Sequence, residues 1–185
     1  MAEETDACSV AHGAAPGASA GPAPAPAPAA QAAGRALVAV FASPVSGYLL
    51  RYAADAGYRC VLVEPDPGRA DAARMAGFPV LPAVPGELEG ADVVLTDHHR
   101  QELGVVLRDT LAGQARWIGI MGNPRHAGPH VAALEALGVA PADIARVHRP
   151  IGLNIGSRTP PEIAVATLAG PLADRNSRPG GFAFA

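Results

Sequence analysis

The chain has no lysine, a single tryptophan and only two cysteines, and these scarcities close off several classes of function. All fourteen basic residues are arginines, seventeen acids outnumber them, and the formal net charge is −3. No stretch interleaves basic and aromatic residues, which argues against a nucleic-acid surface. Cys8 and Cys60 lie far apart, in neither a CxxC pair nor zinc-ligand spacing, so no disulfide framework or zinc site is expected and a reducing cytoplasm fits. No apolar run approaches the roughly 18 residues needed to span a bilayer. The acidic opening MAEETDACSV, with no leucine-rich segment after it, does not fit a secretory signal.

What is present divides the chain into three parts. Residues 1–34 are mostly Ala, Pro and Gly, include GPAPAPAPAA, and contain no Leu, Ile, Phe, Trp or Tyr. Such a segment buries too little apolar surface to offset its ordering entropy, so it is expected to be a disordered Ala/Pro-rich tail. Residues 35–175 alternate apolar runs with helical patterns, and 176–185 are expected to form a flexible C-terminal tail.

ALVAVF (36–41) is a continuous apolar run, as in a strand buried on both faces. Ser43 then has the place of an N-cap with Pro44 at the first helical position. That helix is expected to turn Val45, Leu49, Tyr52 and Ala56 to one face and to stop at Gly57. RCVLVE (59–64) gives a second strand, RADAARMAG a short helix, and FPVLPAVP a brief third strand limited by Pro79, Pro82 and Pro85. ADVVLTD (91–97) gives a fourth strand, followed by a helix from about His99 to Leu111. ARWIGIMG (115–122) gives a fifth, followed by helices near 126–137, at PADIARV and after Thr159. The pattern predicts an α/β fold: a doubly wound, mainly parallel, Rossmann-like sheet with helices on both faces and a ligand crevice at the strands' carboxyl ends.

The first turn bears on function. In a G-x-G-x-x-G/A fingerprint the glycines permit a tight turn, close approach to a pyrophosphate and close helix–strand packing. Those positions here hold Phe41, Ser43 and Ser46, and Pro44 removes one amide that could face a phosphate. The amides of Val45 and Ser46, with the two serine hydroxyls, leave a weak anion site at the helix N-terminus. Glu64 stands where a ribose-binding acid is expected; the alternative is that Glu64 is a strand-end acid and Ser43 a cap. Ordinary NAD(P) binding is disfavoured by the missing glycines.

The ends of the fourth and fifth strands should open on the same crevice and bring together Thr96, Asp97, His98, Gly122, Asn123 and Arg125. Arg125 suits a bidentate phosphate contact, or is a solvated charge on the next helix. Asp97 with His98 or His99 forms an acid/base pair, or a helix cap beside exposed histidines. His126 and His130 lie four apart, but Pro129 and the lack of a carboxylate or thiolate at ligand spacing leave no metal site expected. Trp117 opens a buried strand and is expected to be core.

The stretch VHRPIGLNIGSRTPPEIAVATLAG (147–170) carries a more specific signal. With His148, Pro150, Gly152, Leu153, Ile155, Gly156, Thr159, Pro160, Glu162, Ile163 and Ala164 at matching spacing, it resembles the C-terminal Rossmann domain of the XdhC/CoxI family, accessory proteins of xanthine and carbon monoxide dehydrogenases. The similarity extends back to about residue 36. The resemblance implies a cofactor-insertion chaperone, more than a catalyst, that binds molybdenum cofactor (molybdopterin) and delivers it to a molybdenum hydroxylase apoenzyme, with a homodimer possible.

The chain departs from the family at three places. The N-terminal domain of full-length members, with its cysteine motif, has no counterpart here, since an Ala/Pro segment stands in its place. FASPVS replaces the glycine-rich turn. Thr96-Asp97-His98 and Gly122-Asn123-Pro124-Arg125 stand for the usual Thr-His-Asp and Gly-Ser-Arg-Arg. Within the signature, Thr159, Pro160 and Glu162 have the form of a helix cap, while His148 and Arg158 remain candidates for function. The alternatives are an NAD(P)-binding oxidoreductase-like domain and a non-catalytic regulatory or scaffold protein that binds a partner polypeptide.

Overall fold

The structure, a computed structural model, describes residues 35–122 and 128–180. The expected N-terminal tail, the last five residues of the expected C-terminal tail, and Asn123, Arg125 and His126 lie outside the described residues. The elements in chain order are β1 (Ala36–Val40), α1 (Pro44–Asp55), β2 (Arg59–Val63), α2 (Pro67–Met75), β3 (Val80–Leu81) and β4 (Ala91–Leu95). They continue with α3 (Leu103–Ala112), β5 (Trp117–Ile120), α4 (Pro129–Ala136), α5 (Pro141–Ile144), β6 (Val147–His148) and α6 (Pro160–Arg175).

All the strands pair in parallel, in the order β3-β2-β1-β4-β5-β6. This is the order of dinucleotide-binding sheets, with the topological switch point between β1 and β4. The fold is the expected Rossmann-like α/β architecture.

The apolar run of β1 is explained by its two neighbours. Leu37 and Ala39 join a core with Leu49, Leu50 and Ala53 of α1 and Ala164 and Leu168 of α6. Val38 and Val40 join the opposite core, with Leu103 and Leu107 of α3 and Leu134 of α4. Alternate side chains of a strand point to opposite faces, so a strand covered on both must be apolar throughout. Each fully buried Leu or Val contributes about 1.5–3 kcal/mol.

Several boundaries differ from the sequence reading. The buried face of α1 is Ser46, Leu49, Leu50 and Ala53, rotated from the expected stripe. The helix packs on both the sheet and α6, and Val45, Tyr52 and Ala56 become partly buried flanks. Gly57, at φ +83°, ends it as expected. Helix α3 begins at Leu103 rather than near His99, because residues 97–102 form a bent loop from which Arg100 reaches back to β2. Helix α4 begins at Pro129. Strand β6 is an addition, two residues paired to β5 just before a cis Arg149–Pro150 bond. Beyond α6, the Arg178 amide returns to the Ala173 carbonyl at 2.8 Å, so 176–180 fold back on the helix.

At the amino end of the sheet, fully buried Asp92 accepts from Tyr58 Oη at 3.0 Å, Arg116 Nε at 2.8 Å and Arg175 Nε at 2.7 Å. One carboxylate thus fastens the entries of β2 and β5 and the last turn of α6 to β4. Burial, then the Asp92 charge, raises the Tyr58 hydroxyl pKa. The opposite, carboxyl end is free for a site.

Candidate functional site

The loop after β1 keeps the tight turn of a nucleotide fingerprint without its glycine. Phe41 sits at φ +72° and is fully buried. A side chain in this left-handed region costs about 1–2 kcal/mol. Thr96, at the end of β4, holds the turn: its hydroxyl lies 2.8 Å from the Phe41 carbonyl and 3.0 Å from that of Val40. Ser43 Oγ donates to Thr96 Oγ1 at 3.2 Å, so the candidates Ser43 and Thr96 do meet across the switch point.

Of the two amides expected to face an anion, that of Ser46 already has a partner. The Ser46 amide donates to Ser43 Oγ at 3.1 Å and the Ser43 amide to Ser46 Oγ at 2.9 Å, a capping box made of two serines. The anion site expected of the Ser46 amide is therefore occupied from within. The Ala42 amide donates to Glu64 Oε2 at 2.7 Å.

Glu64 is fully buried, and both oxygens are engaged. Oε1 accepts from the Asp66 amide at 2.9 Å and from Arg100 Nη2 at 2.9 Å, while Arg100 Nη1 lies 3.2 Å from Oε2. Arg100 stacks its guanidinium 4.7 Å from the centroid of the Phe41 ring and also pairs with Glu102 at 3.0 Å. Its hydrogen bonds to Glu64 foremost raise its pKa further above the ordinary value. To meet ribose hydroxyls, Glu64 would have to release an amide or Arg100. The sequence reading missed Arg100; its partner is 36 residues away, and only the switch-point topology brings the two together.

On the other side of Arg100 lies a cavity of ≈ 510 Å³ between the β4–α3 loop and α4. Its wall includes His98, His99, Arg100, Gln101 and Arg149, with Leu103, Pro129 and Ala133 as apolar surface. The imidazoles of His98 and His99 lie 4.0 Å apart between centroids. Burial, then His99 and then Arg149, lowers the His98 pKa, against weaker opposing effects from Asp97 and a hydrogen bond to the Met121 backbone. Asp97 accepts the His99 amide at 2.9 Å. Asp97, His98 and His99 are therefore neighbours in this loop, with Asp97 acting as a local turn cap.

Gly122, two residues beyond β5, lies against the guanidinium of Arg149; a Cβ there would lie 2.5 Å from Arg149 Nε. Gly128 likewise leaves room for the His130 imidazole. His130 is only 6% exposed, and its pKa is lowered by burial and secondarily by Arg149. Arg149 stands inside the signature that the sequence reading singled out, yet Gly122, the residue it packs on, is the stronger clue to its place.

The remaining candidates lie elsewhere. His148 is exposed and stacks on Trp117 at 5.3 Å, on the α1/α6 side of the sheet. Trp117 is buried in that core, as expected. Arg158 is exposed before α6, and its amide donates to Glu162 at 2.9 Å. The Thr159 amide donates to the same carboxylate at 3.1 Å, which gives the expected capping arrangement. Among the described residues no group of three His, Cys, Asp or Glu is placed to hold a metal ion, and no helix is long and apolar enough to cross a membrane.

Strand order, switch-point loops and a capped α1 N-terminus together define a Rossmann-type domain whose Glu64 and Ala42, Ser43 and Ser46 amides are bonded internally, beside a cavity of ≈ 340 Å³ that Ser43, Ser46, Gly47 and Phe78 help to line. The chain belongs to the XdhC Rossmann domain family, whose model matches residues 37–170. It is 35% identical over 89 residues to the protein YqeB of Escherichia coli (strain K12), an alignment covering 48% of this chain and 16% of YqeB. The matched segment is thus a small part of that relative's length. A crystal structure from Bacillus halodurans, described as a xanthine dehydrogenase, superposes with a TM-score of 0.60 over 78% of this chain and 43% of that one. At 21% identity, that likeness concerns the fold.

Proposed function

We propose that this domain is an accessory factor for a molybdenum hydroxylase of the xanthine or carbon monoxide dehydrogenase type, which binds molybdenum cofactor and helps deliver it. The observation that carries the reading is the family membership across 37–170. The site agrees with the reading in its chemistry. A pterin cofactor with a terminal phosphate needs a cationic anchor and an apolar wall, and the cavity beside His98, His99 and Arg149 offers both. In this role the chain orients and shields its cargo, and the redox chemistry belongs to the client enzyme.

An NAD(P)-dependent oxidoreductase would need the loop amides that here serve Glu64, Ser43 and Ser46. The test is incubation of the purified chain with cofactor released from a molybdenum hydroxylase, followed by gel filtration. Pterin and molybdenum are then assayed in the protein peak, and activation of the apoenzyme is measured with and without the chain. Co-elution near one pterin per chain and faster activation are expected. A peak without pterin and an unchanged activation rate would overturn the proposal.

A further inference from the structure

We infer that the cavity between the β4–α3 loop and α4 is a binding site for a phosphate monoester, separated from the turn after β1 by Arg100. The inference rests on the chemistry of the cavity and stands whether or not the cargo is a molybdenum cofactor.

The charges are distributed unequally across Arg100. On its β2 side, Glu64 and Glu102 balance its charge. On its cavity side the wall carries His98, His99 and Arg149, and among the described residues no carboxylate lines it. Asp97, in the same loop, spends an oxygen on the His99 amide. Arg149 lowers the pKa of both His98 and His130, so its positive charge is felt on both sides of the β5 end. A guanidinium fork beside two imidazoles matches the several terminal oxygens of a dianionic phosphate.

The geometry favours a monoester over a dinucleotide. The volume, ≈ 510 Å³, suits one small ligand. Leu103, Pro129 and Ala133 supply an apolar surface for the remainder of such a molecule. A pyrophosphate diester would have to extend toward α1, where Arg100 and Phe41 stand in its way and the Ala42, Ser43 and Ser46 amides are already bonded. Arg100 therefore acts as a partition that selects the ligand class.

The full chain, labelled with ¹⁵N-histidine, would be titrated at neutral pH with inorganic phosphate, AMP, NAD and sodium chloride at matched ionic strength. His98→Asn and His99→Ala variants assign the signals. Saturable shifts of the His98 and His99 imidazoles with phosphate and AMP are expected, and none with NAD or chloride. AMP binding tighter than phosphate would identify an organic monoester as the source; equal binding would identify the free ion. Loss of one charge-assisted contact in His99→Ala, an exposed position, should weaken binding about ten-fold. Arg149→Lys, which keeps the charge but not the fork, should also weaken it. Silent imidazoles, shifts reproduced by chloride, or NAD binding as tight as AMP would overturn the inference. Phosphate binding without cofactor retention would leave this site standing and remove the proposed function; cofactor retention with silent imidazoles would do the reverse.

Discussion

A glutamate at the end of the second strand of such a sheet ordinarily faces a ribose. Here the same position holds a buried carboxylate that accepts two backbone amides and an arginine fork. A buried pair is costly to break and cheap to replace, because the loss of one partner strands the other's charge in a low dielectric. Arg100→Met keeps the stem over Phe41 and deletes the charge; urea denaturation should show a loss of about 3–5 kcal/mol. The double variant Arg100→Met/Glu64→Gln should recover part of that loss: no buried charge is left unpaired, but the Gln NH2 cannot accept from one of the Ala42 and Asp66 amides. A double variant as unstable as Arg100→Met alone would show that the ion pair is not what holds the β1 turn. Cys60 offers an independent check on burial. Its thiol is pushed up to about 11 by desolvation. In a Cys8→Ser background it should therefore react with a thiol reagent at pH 8 far more slowly than a small free thiol, and equal rates would contradict the packing of β2 against α1.

At the scale of elements, β5 shows how a single glycine positions a neighbouring side chain. Any Cβ on Gly119 would collide with the Trp117 indole and with Ile151. The indole folds over the strand and stacks on His148 of β6. Gly119→Ala should displace it, with an overpacking cost of about 1–3 kcal/mol. Because the chain has one tryptophan, a shifted emission maximum reports the displacement directly; an unchanged spectrum would mean the indole is held by other contacts. The same edge marks the limit of what the sequence discloses. The apolar runs of β1, β2, β4 and β5 were legible because a strand buried on both faces must be apolar throughout. The start of α1 was legible because Ser43 and Pro44 are local signals. Strand β6 was not, since two residues before a proline carry no periodicity. The true start of α3 was hidden for another reason: Arg100 is drawn 36 positions back to Glu64, and no local pattern records that. Ser43, Ser46, Glu64 and Thr96 could be located from their strand ends, but the bonds that join Ser43 to Thr96 and Glu64 to Ala42 and Arg100 come from long-range packing.

The whole molecule couples its stability to the charge of the cavity. Relative to the usual 6.5, the pKa of both His98 and His130 is lowered in the folded chain, chiefly by burial. The charged groups facing His98 are His99, Arg149 and Asp97, and Arg149 faces His130. In the unfolded chain these imidazoles titrate near their ordinary value. As the pH falls through about 6.5, the unfolded state therefore takes up protons that the folded state refuses. Stability is fully present above that value and declines below it, by up to about 1.4 kcal/mol per pH unit for each group, until the lowered folded pKa is reached. A doubly charged anion in the cavity opposes this at His98, because it favours the protonated form. Sulfate keeps its charge across this range, so it separates the titration of the protein from that of the ligand. Thermal melts between about pH 5.5 and 8, with sulfate exchanged for chloride at constant ionic strength, should show two effects. Without sulfate the melting temperature falls on acidification. At each pH sulfate raises it relative to chloride, and the increment is larger at the acid end than at the alkaline end. His99→Ala, which removes a side chain from the cavity wall, should shrink the sulfate increment while leaving the baseline melt nearly unchanged, since the residue is exposed. A sulfate increment independent of pH would mean that the anion is not read by these imidazoles, and a melting temperature that rises on acidification would contradict the burial of His98 and His130.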